Sequence, residues 1–441
     1  MAGRLPSARR GRPAVRRLLL FGAGDYGFNL YWQALMLHLL FFYTDRLGLP
    51  PATAGAVMIA GGVADGIADL AIGIAADRRQ LSYRRLLAWG CVPLGIAFPL
   101  LFVDPGGLAA VIGIHLIFRI LYALVNLPYA AWTTRVSAAC ADRTLIAGAR
   151  MAFGAAGAVT VAFAMPGLAG GYAGTAGLFA AIATALLVAT VLAVPEQRPP
   201  AAAGRRPLTQ DFLALGRNGA FVTLAAAGLA TTVAGAIIGH SVLFYFTHYL
   251  GDRAAGGQAI AAMAIAAAAA IPLWTAVALR IGGRATWLVA AAGAGAALLA
   301  FAAWPVPRAV GAALVFLALI QAGLSGLNLA AWALLPASVD VAAVRSGIRV
   351  EATAFSVFIL VQKLGLGAAG LLLGLAYQHW GYEAGRPDEA AQAGIRWLML
   401  VGPLAALAAG AAAMRLNPLR RSVERAAAGQ SSSNVPDTPS A

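Results

Sequence analysis

Apolar residues run along this chain in blocks of roughly 20, the length that spans a hydrocarbon core about 30 Å thick as a helix. About twelve such blocks fall at 18–43, 50–76, 84–103, 108–133, 150–171, 173–194, 218–247, 258–279, 285–304, 309–336, 352–377 and 393–414. None alternates with period two, so the pattern predicts helices that close their own backbone hydrogen bonds in lipid and excludes a barrel. The expected fold is an all-α integral membrane protein of twelve transmembrane helices.

The segment 195–217, PEQRPPAAAGRRPLTQDFLALGR, interrupts the pattern with proline and arginine and reads as a linker between two six-helix halves, 18–194 and 218–414. Phe41-Phe-Tyr-Thr44-Asp-Arg-Leu47-Gly48 has a counterpart in Phe244-Tyr-Phe-Thr247-His-Tyr-Leu250-Gly251, 203 residues on. Asn126-Leu127 likewise has Asn328-Leu329 at an offset of 202. Parallel repeats of six spans place a binding site at mid-membrane between them. Residues 1–17 read as a basic arm beside anionic headgroups, and 415–441 as a tail disordered by composition.

Composition narrows the function. Of 441 residues, 61% are hydrophobic and 11% charged, more apolar surface than a soluble domain can hide. The net charge of +15 suggests nucleic acid until its placement is read. Arginines precede the first span and follow the even-numbered ones, as at Arg78, Arg79, Arg135, Arg143, Arg280, Arg345 and Arg420. The positive-inside rule therefore puts both termini in the cytoplasm, in an inner (plasma) membrane, with the bilayer and not nucleic acid as partner. No cleavable signal peptide is evident, and Cys91 and Cys140 predict no disulfide. There is no metal-ligand constellation, no Ser/His/Asp set and no phosphate loop, which argues against an integral-membrane enzyme.

Charges inside the apolar blocks carry the candidate chemistry. Asp65 and Asp69 sit four residues apart in AGGVADGIADLAIGIAADRR, so a helix stacks both carboxylates on one face. One charge at mid-bilayer costs about 2.5–3.5 kcal/mol on the insertion scale, and two like charges require protons or a cation between them. Asp65 and Asp69 are therefore the expected coupling-ion site, with no cofactor. Lys363, the only lysine in the chain, stands in the middle of the eleventh block, where it would latch onto the two aspartates. Arg119 is a candidate partner for one of them, and Asn126 lies two turns further along the same face. Asp25 faces a central cavity or lies at a wetted membrane edge; Arg150 alone would read as a snorkelling anchor. Tyr26, Tyr122, Tyr129, Trp132 and Trp332 offer aromatic faces, and Asn328 is the second-half match to Asn126. Asp77, Arg78, Asp340, Arg349 and Glu351 form either a cytoplasmic gate or ordinary solvated loops.

In order along the chain, five stretches resemble the glycoside–pentoside–hexuronide:cation symporters of the major facilitator superfamily. They are Gly24-Asp25 with Phe41 to Gly48; Asp65-Gly-Ile-Ala-Asp69; Tyr122-Ala-Leu-Val-Asn126-Leu-Pro128-Tyr129; Arg143-Thr144 to Phe153; and Val339-Asp340 with Gly347-x-Arg349-x-Glu351 followed by Lys363. The resemblance implies cation-coupled sugar transport by alternating access. It implies that Asp65 and Asp69 hold the cation near Lys363, and that Asp25, the Asn126 position and Arg150 contact sugar hydroxyls. The chain departs from the family at Ala68 and Ala123, where an asparagine and a threonine supply oxygens to the ion, and at Asn126, where an aspartate binds galactosides. Gly62 likewise replaces an arginine. The missing oxygens favour H⁺ over Na⁺ or Li⁺ as the coupling ion. The expected protein is a monomeric carrier of a sugar or glycoside, the alternative being a carrier of the same fold for a lysolipid, peptidoglycan fragment or drug.

Overall fold

The computed structural model describes residues 15–39, 42–49, 51–137, 139–165, 171–197, 207–306, 309–346, 350–380 and 389–420. Among these residues all regular structure is helical. In chain order the helices are α1 (Val15–Ala34), α2 (Pro51–Arg78), α3 (Tyr83–Leu100), α4 (Leu108–Val136), α5 (Cys140–Ala164) and α6 (Gly171–Ala193). There follow a short α7 (Leu208–Arg217), then α8 (Gly219–Phe244), α9 (Arg253–Ile281), α10 (Gly283–Ala302), α11 (Val310–Ser346), α12 (Glu351–His379) and α13 (Glu389–Leu416). Ten of the described helices are long and apolar enough to cross a membrane.

Packing sorts them into two groups. Helix α1 lies against α5 and α6, and α4 against α2 and α3; in the second group α8 lies against α12 and α13, and α11 against α9 and α10. The groups meet where α12 packs on α2 and α4, and where α5 packs on α9 and α11. Small residues permit these approaches, as lipid-embedded helices require. A Cβ on Gly73 of α2 would stand 2.6 Å from Ser356 Oγ and 2.9 Å from the Ala352 carbonyl of α12.

Three boundaries differ from the sequence reading. The first span is not one α-helix: α1 ends at Ala34 and gives way to π-helical turns at Leu35–Leu39 and Phe42–Arg46. Helix α8 passes into the same kind of turn at Tyr245–Leu250, and glycines in the left-handed region, Gly48 (φ 68°) and Gly251 (φ 75°), follow both. The matched octapeptides thus make the same backbone event twice. Secondly, the expected polar turn after the tenth block is helix as far as Ser346, so Asp340 projects from α11. Thirdly, α7 forms within the expected linker, starting after Pro207, which is preset for a first turn, and ending at Asn218, whose side chain caps α8 through the Ala220 and Phe221 amides.

Candidate functional site: a carboxylate pair and a lysine between two helix groups

Helix α2 presents Asp65 and Asp69 toward α12, and both are buried, 2% and 6% exposed. Lys363 of α12 reaches across to donate to Asp65 Oδ2 at 2.6 Å and to Asp69 Oδ2 at 2.7 Å. The spacing of one helical turn lets a single ammonium bridge both carboxylates. Arg119 of α4 stands behind Asp65, its Nη1 3.7 Å from the same Oδ2. Two acids and two bases thus share a site in which Asp65, Asp69 and Arg119 are buried and only Lys363 is partly exposed, and an uncompensated charge there is heavily penalised. Asp65 Oδ1 is fully buried and lacks a hydrogen-bond partner among the described residues. An orphaned carboxylate oxygen in such surroundings is an unsatisfied acceptor.

The second polar cluster lies between α1 and α5. Arg150 donates from Nε to Asp25 Oδ2 at 2.5 Å and from Nη2 to Asp25 Oδ1 at 3.3 Å, a forked pair. Arg150 is thus paired inside the bundle, with 13% of its side chain exposed, where a snorkelling anchor would hold its head in water. Its guanidinium lies 5.0 Å from the Tyr129 ring centroid and 5.6 Å from that of Trp332 on α11. Tyr129 is fixed by donating its hydroxyl to the Phe21 carbonyl and by stacking on Phe21. The polar face of α1 continues one and two turns further with Asn29 and Gln33, their side chains linked at 3.5 Å. Tyr26 is bonded to Thr160 of α5 at 3.0 Å.

Aromatic rings join the two clusters. Trp32 stacks on Tyr122 at 6.0 Å, Tyr122 meets Phe28 edge-on at 5.8 Å, and Phe28 touches Tyr129 at 4.9 Å. Arg119 lies over the Trp32 ring at 5.6 Å. Asn126 and Asn328 are half-buried. Trp132 is not brought to either cluster: it is completely buried and packs edge-on against Phe21 inside the first group. Its place on α4 rotates it away from the face that carries Arg119 and Asn126.

A third set of charges closes the end of the bundle where α2 stops and α12 begins. Asp77 accepts from the Ala352 and Thr353 amides at 2.9 and 2.7 Å, capping the start of α12 from across the interface. Arg135 of α4 donates to Glu351 at 2.5 Å and to Glu196 at 2.9 Å, with its guanidinium 3.8 Å from the Tyr83 ring centroid. Arg143 of α5 pairs with Asp340 of α11. Arg78 sits 3.8 Å from Asp211 of α7. Arg349 lies outside the described residues. The sequence reading gave Arg135 and Arg143 no partner and did not single out Glu196; nothing local separates an arginine bound across an interface from one in water. Trp32 and His115 also escaped it, for their roles follow from contacts between helices.

The sequence matches the family described as MFS/sugar transport protein over residues 20–421. It is 32% identical over 155 residues to the uncharacterized symporter sll1374 of Synechocystis, a match to 32% of this chain and 28% of that protein, so the chain spans under a third of that relative. It is 25% identical over 386 residues to the glucuronide carrier protein homolog of Escherichia coli K12, covering 82% of this chain and 84% of the relative. The fold resembles that of the Escherichia coli transporter FucP solved in its outward conformation, with a TM-score of 0.68 at 15% identity over 92% of this chain and 98% of FucP. A bundle of apolar helices with ionised groups buried at its internal interface is an arrangement that membrane carriers use. The chain belongs to the MFS/sugar transport family.

Proposed function

We propose that this protein is a cation-coupled symporter of a sugar or glycoside, working by alternating access between two six-helix halves of a twelve-span bundle. The observation that carries the reading is the buried pair Asp65 and Asp69, clasped by the chain's only lysine across the interface, with one carboxylate oxygen left unpartnered. Ionisable groups placed inside a membrane bundle are costly and mark ion and substrate pathways. Asp25 and Arg150, flanked by Tyr129 and Trp332, supply forked hydrogen bonding and aromatic faces suited to a sugar ring. The ion favoured is H⁺, because Ala68 and Ala123 bring no oxygen to the site.

In this mechanism a proton on Asp65 or Asp69 weakens the clasp of Lys363. Sugar then inserts between Asp25 and Arg150 and draws the halves together on the far side. The capped α12 and the Arg135–Glu351 and Arg143–Asp340 pairs release in turn and open the cytoplasmic end. Loaded or empty carriers cross; a carrier holding only one partner crosses poorly, because ion and sugar each favour the state that binds the other. Both termini lie in the cytoplasm of an inner membrane, and the monomer is the working unit. Proteoliposomes test this directly: candidate glycosides should acidify the lumen on entry, with uptake following a pH gradient. Uptake that follows a sodium gradient and ignores pH assigns Na⁺ instead, and no solute-driven ion flux with any glycoside refutes symport.

A further inference from the structure

His115 of α4 has no exposed surface and meets Arg119 at Nε, whereas Asp65 is approached by Nη1. Arg119 donates from Nε to His115 Nε2 at 3.4 Å, and His115 Nδ1 meets the Tyr43 hydroxyl at 3.1 Å. A guanidinium only donates, so Nε2 must carry a lone pair; the imidazole is then neutral with its proton on Nδ1, donated to Tyr43. Helix α2 is notched to admit this ring: any Cβ at Gly61 would collide with His115, and Gly61 lies one turn before Asp65. Tyr43, itself 1% exposed, comes from the π-helical turn that ends the first span.

We infer that His115, in its Nδ1–H form, is a positioning residue that holds Arg119 away from Asp65 and so keeps that carboxylate available to the coupling ion. The inference rests on the cation-site reading above. Its physical basis is a competition. In a dry interior a guanidinium 3.7 Å from a carboxylate gains by closing to a forked pair, which occupies both oxygens. His115 offers Nε–H a competing acceptor, and the Trp32 face engages the guanidinium plane from another direction. The guanidinium therefore stands off, leaving Oδ2 to Lys363 and Oδ1 unpartnered. Without the imidazole acceptor, Arg119 collapses onto Asp65 and the ion must displace it.

Two measurements on the purified, lipid-reconstituted full chain decide the matter. The first is ¹⁵N spectroscopy of the five histidines, with His115 assigned by its loss in His115→Gln. A neutral ring protonated on Nδ1 is expected; a ring protonated on Nε2, or on both nitrogens at neutral pH, overturns the inference. The second is the ion concentration that half-activates uptake. His115→Leu should raise it about tenfold or more, the scale on which supporting residues act on bound ions. His115→Gln, whose amide oxygen can replace Nε2, should restore most of the loss, and Tyr43→Phe should give a smaller shift in the same direction should the leucine variant not fold. An unshifted activation constant in both His115→Leu and Tyr43→Phe overturns the inference, as does an equal shift in the leucine and glutamine variants. Wild-type uptake that ignores every ion gradient counts against the cation site itself; the tautomer, read without transport, still decides the positioning role.

Discussion

Lys363 holds two buried carboxylates at once, and its removal leaves like charges one turn apart with only Arg119 nearby. Lys363→Met should therefore destabilise the purified protein by about 3–5 kcal/mol, the cost of orphaning a buried charge, as read by thermal unfolding in detergent. Adding Asp69→Asn to Lys363→Met should recover much of that loss, and a double variant no more stable than the single one contradicts the pairing. Asp65→Cys is expected to abolish uphill accumulation while leaving solute exchange measurable, since exchange needs no net ion movement. Arg150→Lys keeps the charge but loses the fork to Asp25. It should weaken substrate binding by about tenfold, the worth of one charge-assisted hydrogen bond, with ion binding unchanged in equilibrium titration.

At the scale of elements, α2 carries the argument twice. Its middle holds the carboxylate pair, and its end caps α12 through Asp77. Between them Gly73 allows the two helices to touch backbone to side chain. Gly73→Val should prevent that approach, lower uptake severalfold and expose cysteines engineered near the start of α12 to a membrane-impermeant thiol reagent added from the arginine-rich side. Equal protection in wild type and variant would show that α2 and α12 do not seal this end. Much of α2 was legible in sequence, because two acids at helical spacing in an apolar block admit few explanations. The lone lysine of α12 was legible for the same reason. The π-helical turns were not, since they change hydrogen-bond register without changing composition. The extension of α11 to Ser346 was also hidden: Asp340 reads as a loop residue until its pairing with Arg143 is seen. Trp132 misled because an aromatic on a functional helix looks the same whether it faces a cavity or its own core.

For the whole molecule, the ion pairs from Arg135 to Glu351 and from Arg143 to Asp340 tie the two helix groups at one end, while the Lys363 clasp ties them near the middle of α2. Replacing Glu351 with Gln and Asp340 with Asn together should shift the population toward carriers open at the arginine-rich end, seen as faster thiol labelling there and slower labelling at the opposite end. Such a balance is what a two-state carrier needs, with latches strong enough to choose a state and weak enough to let it go. The scarcity of lysine has a practical corollary. Because the other cationic side chains are guanidiniums or imidazoles, an amine-selective reagent finds one ε-amino group in this protein, at the clasp, with 28% of its side chain accessible. Acylation there requires a free, deprotonated amine and an open path from bulk water. Its rate, followed by intact mass and corrected for the N-terminus, therefore clocks the unlatching of the carrier with no engineered label.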